Sequence, residues 1–479
     1  MSMDQIETTR TGRDVAAGVA GLLGAAGVGM VFVAAIASIA PQLLMRSPDL
    51  SSVEFTWQHG LPPAFLAAMM LVAAMVGRWG WWAAAAGLAV QVILVEAIAS
   101  TLFLGPAETG MAFAVTGGAV MGGGLAAYGA AGRTVRPWTG AGFAIGLYGG
   151  WLLNTGFMIT RLDVLGNRNA YVVTLGVPFA LCLVAAVGWL VSGTGQERRA
   201  GPRRWGVPVW VLSVAAVTIA LELALRAVLD GLITSGGLDE VETLHEFGSV
   251  AIAQLAAVVL AIVAYRRGGT ILSRWVLVGF TAGFASGATG IWQGREADAY
   301  WLLGAAGIVG AVGGALIGRV GKGAVPWDAL GLAALCIGVV QSSSRDRLGL
   351  AAAVGGVQVL MVLAVAFVLA ATLALVNTAR TARGMSGAVE AALGVGLGFV
   401  ACFIAALAAF PHTLAAQTGP VNAGPAVTIG SDAIGVFTLY LIGLLVQRAR
   451  RGIEAEAARE IEAAEGQGMA AHGADREAP

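Results

Sequence analysis

Stretches of about 20 apolar residues recur along the whole chain, separated by short polar breaks, and none of them alternates apolar and polar positions. Each stretch matches the ~20 residues a helix needs to cross about 30 Å of hydrocarbon. Lipid offers no partner to an unpaired backbone group, so each stretch predicts a helix. A transmembrane barrel would need short alternating segments, which are missing. Hydropathy places the spans near 15–40, 61–77, 80–104, 109–131, 138–158, 170–192, 206–228, 245–265, 272–292, 299–318, 326–342, 348–376, 386–410 and 427–447, fourteen in all. Span twelve, at roughly 29 residues, is expected to tilt or extend beyond the bilayer. The fold class this pattern predicts is an all-α polytopic membrane protein.

An even number of crossings puts both termini on one side, and the positive charges test that assignment. If the N-terminus, alternate loops and tail are cytoplasmic, that side holds 21 of the 28 Lys and Arg residues, the opposite side six, and Arg226 lies within a span. The first stretch is too long for the core of a secretory signal, so it is expected to remain as the first span. The arginine-rich segment "SGTGQERRAGPRRWG" (192–206) and the later break "YRRGG" (265–269) divide the helices as six, two and six. The expected units are a first six-helix bundle over 1–195, a two-helix linker over 196–268, a second six-helix bundle over 269–450 and a cytoplasmic tail over 451–479. The tail starts basic and becomes a Glu/Ala helix former that loses any apolar face.

Composition agrees with a bilayer setting: 57% of residues are hydrophobic and 12% charged. Zero net charge, with no basic tract interleaved with aromatics, argues against nucleic acid as a partner. The three cysteines, Cys182, Cys336 and Cys402, lie in apolar runs and read as packing residues, and the four histidines are scattered. No metal, cofactor or enzymatic role is expected, because no extramembrane segment, including 230–246, gathers a nucleophile, base and orienting group. The 70 glycines lie inside hydrophobic runs, which reads as close helix packing or as the bias of a GC-rich genome. Gly310, Gly314 and Gly318, and Gly118 with Gly122, are spaced by four and share a helix face.

"GRWG" (77–80) closes the second helix of the first six, and "GRVG" (318–321) closes the second helix of the last six. Transporters built from repeated halves show such correspondence, with the substrate path between the halves. On these residues the chain resembles the fourteen-helix drug:proton antiporter branch of the major facilitator superfamily, which follows helix 2 with Gly-x-x-x-Asp-Arg-x-Gly-Arg-Arg/Lys. The second copy keeps Gly314, Arg319, Gly321 and Lys322, with Gly318 where the acid would stand; the first keeps Arg78 and Gly80, with Gly77 for the acid and Trp81 and Trp82 for the basic pair. In helix 1, "VFVAAIASIAP" (31–41) keeps Pro41 but has Phe32 and Ala37 at the branch's Asp and Asn positions. Trp57 also matches, and "IGLYGG" (145–150) keeps Gly149 and Gly150 of the helix 5 signature without its proline.

The resemblance implies alternating access in the cytoplasmic membrane and export of an apolar or amphipathic small molecule such as a drug, metabolite or lipid-like compound. Its partners would be the lipid bilayer, that substrate and, as a candidate coupling ion, the proton. The missing acids also fit another class, a transporter-derived scaffold or lipid-handling accessory that has lost coupling. Arg78 and Arg319 either cap helix ends and pair with acids when the passage closes, or serve only as positive-inside anchors. Glu96 in span three is a candidate coupling acid or a solvated outer-end carboxylate. Glu222 and Arg226, four apart, form either a structural ion pair or a buried charge used in transport. Asn154, Gln341 and Gln358 are candidates for lining a cavity or for bonding between helices.

Overall fold

A computed structural model describes residues 3–44, 52–100, 106–132, 135–159, 168–192, 238–288, 297–320, 331–333, 354–378 and 391–405, with Ser213 and Ala216. Among them every regular element is helical. The chain is an all-α polytopic membrane protein, and Gly12–Phe32, Gly77–Val95, Met111–Ala130 and Thr174–Ser192 are each long and apolar enough to cross a bilayer.

The helices are α1 (Met3–Leu44), α2 (Ser52–Met75), α3 (Gly80–Ser100), α4 (Pro106–Ala130), α5 (Arg136–Ile159) and α6 (Arg168–Ser192), followed by α7 (Leu238–Ala288), α8 (Ala297–Val320), α9 (Val354–Thr378) and α10 (Ala391–Ala405). Helix α1 outruns its expected span at both ends and continues through Pro41. Two expected spans share α7, which breaks at Gly269, where φ is +76°. Span twelve, expected to be overlong, is described as the 25-residue α9. The spans near 206–228, 326–342 and 427–447 and the tail lie wholly or almost wholly outside the described residues.

Glycine rows decide which helices touch. Gly142, Gly146 and Gly150 of α5, spaced by four, lie against the backbone at Leu22, Ala26 and Met30 of α1, also spaced by four. Gly118 and Gly122 of α4 lie against the carbonyls of Phe65 and Met69 of α2. With no hydrophobic force between helices in lipid, such close backbone approach is the source of cohesion. The same two kinds of pairing recur later in the chain with the glycines moved to the other helix. Gly279 and Gly283 of α7 meet the carbonyls of Gly398 and Cys402 of α10, and Gly310 and Gly314 of α8 meet those of Leu363 and Phe367 of α9. The first-with-fifth and second-with-fourth contacts are therefore made twice, from different sequence.

Helix α6 packs on α1 and α3, where the Cys182 thiol donates to the Gly24 carbonyl at 3.6 Å and Trp189 Nε1 donates to the Ala17 carbonyl at 3.2 Å. Arg136 at the start of α5 donates to the Gly129 carbonyl at 2.8 Å and so caps the end of α4. Between α2 and α3 a single 3₁₀ turn, Gly77–Trp79, reverses the chain. It requires φ of +52° at Gly77, the left-handed region that glycine enters without penalty. A methyl group there would meet nothing within 4 Å, so a substitution tests the backbone alone. Gly77→Ala is expected to cost about 1 kcal/mol and Gly77→Asn less, read as the shift in thermal unfolding of the purified protein.

Candidate functional site

A cluster of buried rings forms where the early helices meet α10. Helix α1 supplies Phe32, α2 Phe65, α5 Phe143 and α7 Trp275, while α10 supplies Phe399 and Phe403, four residues apart and on one face. The Phe65 and Phe403 rings stack with centroids 5.2 Å apart and planes 18° apart. Phe399 sits at the centre, 5.6 Å from Phe32, 5.7 Å from Phe143 and 5.6 Å from Trp275. Phe32 is also 6.4 Å from Phe403. Trp275 is locked by its Nε1, which donates to the Val395 carbonyl at 2.9 Å. Tilted and edge-on pairs of this kind contribute about 0.5–1.5 kcal/mol each beyond their buried area. Each of these six rings is at most 5% exposed.

Two polar atoms interrupt it. Tyr148 of α5 is buried with its ring against Gly307 of α8, and its hydroxyl has no partner among the described residues. Gln91 of α3 is 4% exposed, near Gly117 and Phe65, and its Oε1 is likewise unmatched among the described residues. A buried polar atom without a partner costs on the order of 1–3 kcal/mol.

The motif residues fall into separate places. Gly77, Arg78 and Gly80 share the turn between α2 and α3. Gly80 is buried against Gly123 and Ala127 of α4, and Arg78 is exposed, its guanidinium carbon 5.2 Å from the centroid of the Trp79 ring. Gly314 lies in the contact between α8 and α9, not at this turn. Gly318 and Arg319 belong to the last turn of α8, but the side chain of Arg319, like those of Glu96 in α3, Asn154 in α5 and Gln358 in α9, lies outside what is described. Gly321, Lys322, Glu222, Arg226 and Gln341 lie outside them altogether.

Sequence reasoning singled out Phe32 only as the replacement for an acid. Its surroundings give the reason: it is 1% exposed among aromatic rings, where an unpaired carboxylate would have no compensating partner. Tyr148 was passed over although it stands inside "IGLYGG", where the only non-glycine polar residue of a buried helix turn was the available signal.

No family model matches the chain, and no curated protein matches it. Among solved structures it is similar to an auto-inhibited POT family peptide transporter, at 15% identity and a TM-score of 0.47, over 90% of this chain and 96% of that one. It is also similar to the xylose transporter XylE from E. coli in a partially occluded inward-open conformation, at 12% identity and a TM-score of 0.46, over 90% and 98% of the two chains. The human organic anion transporter MFSD10 (TETRAN) shares 14% identity at a TM-score of 0.48, over 89% of this chain and 99% of its own.

Proposed function

We propose that the protein is a membrane transporter of the major facilitator layout, working by alternating access. Its units would be a bundle over 1–195, a two-helix linker over 196–268 and a second bundle over 269–450, with the tail and N-terminus in the cytoplasm. The observation that carries this reading is the duplicated set of helix contacts, α1 with α5 and α2 with α4, then α7 with α10 and α8 with α9, meeting at an aromatic seam. The seam is the surface that would part when the passage opens. Its rings, with Tyr148 and Gln91 carrying polar atoms unmatched among the described residues, favour an apolar or amphipathic small molecule. Export and placement in the cytoplasmic membrane follow from the resemblance in the motif turns.

The reading is tested with spin labels at Met75→Cys on α2 and Leu316→Cys on α8, both exposed positions in different bundles. Two distance populations, whose ratio shifts when an amphipathic substrate is added, are expected. One fixed distance under all conditions would exclude alternating access and leave the scaffold reading, which Phe32 in place of an acid favours. Flux of the substrate into inverted vesicles should fall when Arg319 is changed to Ala if that residue gates the passage. Because no acid stands at the seam among its described rings, flux is expected to persist after the proton gradient is collapsed; abolition would point to coupling through Glu96 or another acid.

A further inference from the structure

The contacts that cross between the proposed bundles are not confined to the rings. Three residues before Phe399, Gly396 of α10 faces the tips of Met70 of α2 and Leu125 of α4. A methyl group at Gly396 would stand 3.1 Å from a Leu125 methyl carbon, 3.1 Å from the Met70 methyl carbon and 3.8 Å from its sulfur. We propose that this contact is an apolar latch that shuts the cytoplasmic end of the passage. The inference rests on the alternating-access reading and adds to it which end is closed in this structure and which side chains close it.

Depth along the helices assigns the end. Met70 stands five residues before the end of α2 at Met75, and Leu125 five before the end of α4 at Ala130, each about 7.5 Å from its helix end. Arg78, Arg133 and Arg136 follow those ends in sequence, which marks them as the cytoplasmic side. Gly396 is buried, and Met70 and Leu125 are buried completely. The opposite side of α10 is held within its own proposed bundle, where Trp275 Nε1 donates to the Val395 carbonyl at 2.9 Å and Gly279 and Gly283 of α7 meet Gly398 and Cys402. At Gly396, by contrast, α10 meets the other bundle through a thioether and methyl groups. Such a contact can part and re-form without leaving a hydrogen-bonding group unpaired, and the flexible methionine tip refits easily. A side chain at 396 would hold the two bundles apart, which is the reason for a glycine there.

The test is a size swap, read with the spin-label pair at Met75→Cys and Leu316→Cys near the cytoplasmic ends of α2 and α8. Gly396→Leu introduces a clash only when the bundles are together, and is expected to move the population ratio toward the longer distance by about tenfold. Met70→Ala removes half of the latch without adding bulk and should move the ratio the same way by about threefold. The double variant, in which one change fills the space left by the other, should return toward the unaltered ratio. Leu71→Ala, the next residue on α2 but 50% exposed, should leave it unchanged. If the unaltered protein shows two populations, then no shift in either single variant, an equal shift in Leu71→Ala, or a Gly396→Leu shift that Met70→Ala fails to reverse would overturn the latch and leave alternating access standing. A single fixed distance in the unaltered protein would remove the latch together with the reading beneath it. Should Gly396→Leu fail to fold, Met70→Ala decides alone: an unchanged ratio there overturns the latch.

Discussion

Gly146→Val is expected to yield almost no folded protein, whereas Gly176→Val leaves yield and melting temperature unchanged. Both glycines are helical, in α5 and α6, and both substitutions carry the same β-branched penalty. The difference is outside the helix. A methyl at Gly146 would collide with the Ala26 backbone of α1, its carbonyl carbon and oxygen and its Cα together, and backbone cannot rotate aside as a side chain can. The two helices would have to separate, taking with them the matched rows at Gly142 with Leu22 and Gly150 with Met30. Overpacking a core side chain costs about 1–3 kcal/mol, and forcing two backbones apart along about two turns belongs at or above that upper end. At Gly176 nothing stands within 4 Å of the added carbon. Fluorescence-detected size exclusion after extraction, followed by a melt of each variant, makes the comparison. Normal folding of Gly146→Val would mean that α1 and α5 are not held by this contact.

The helical character of the apolar runs was legible because the bilayer demands it, whereas their ends were not: α1 and α2 begin well before their expected spans and two spans share α7. Gly77 was legible for a related reason, since a one-turn reversal between helices needs a backbone that glycine adopts freely. Contacts were harder to read. "GFAIGLYGG" invites attention to its last glycines as a family signature, but the informative period is Gly142, Gly146, Gly150, which becomes meaningful only beside Leu22, Ala26 and Met30 of another helix. The relocation of the glycines from α4 and α5 to α7 and α8 explains why the second set of contacts does not show as a repeat in sequence. Either partner of a close pair can be the small one, so the geometry repeats while the residues do not. The seam was the least legible feature. A phenylalanine in a transmembrane helix satisfies hydropathy equally well facing lipid or facing another helix, and nothing local distinguishes Phe399 from an exposed residue such as Leu316.

Phe399→Ala should expose the thiol of Cys402 about thirtyfold more often while leaving that of Cys182 untouched. Phe399 contacts Trp275, but Trp275 and Phe399 both belong to the proposed second bundle, so that pair survives when the seam parts. The contacts to Phe32 and Phe143 cross the seam and would be lost on the proposed opening. Losing two such ring pairs at about 1 kcal/mol each weakens the closed state relative to the open one by about 2 kcal/mol, or roughly thirtyfold in population. The chain carries its own reporters. Cys402 is buried in α10 one residue before Phe403, whereas Cys182 is buried between α6 and α1, inside the proposed first bundle. Labelling with a small maleimide, resolved by peptide mass spectrometry so that each cysteine is followed separately, reports the open population when reclosing is faster than reaction. A rise at Cys402 alone means that the two bundles part along the rings. A matching rise at Cys182 would instead mean general loosening of the helices, and no change at Cys402 would mean that the aromatic seam does not open.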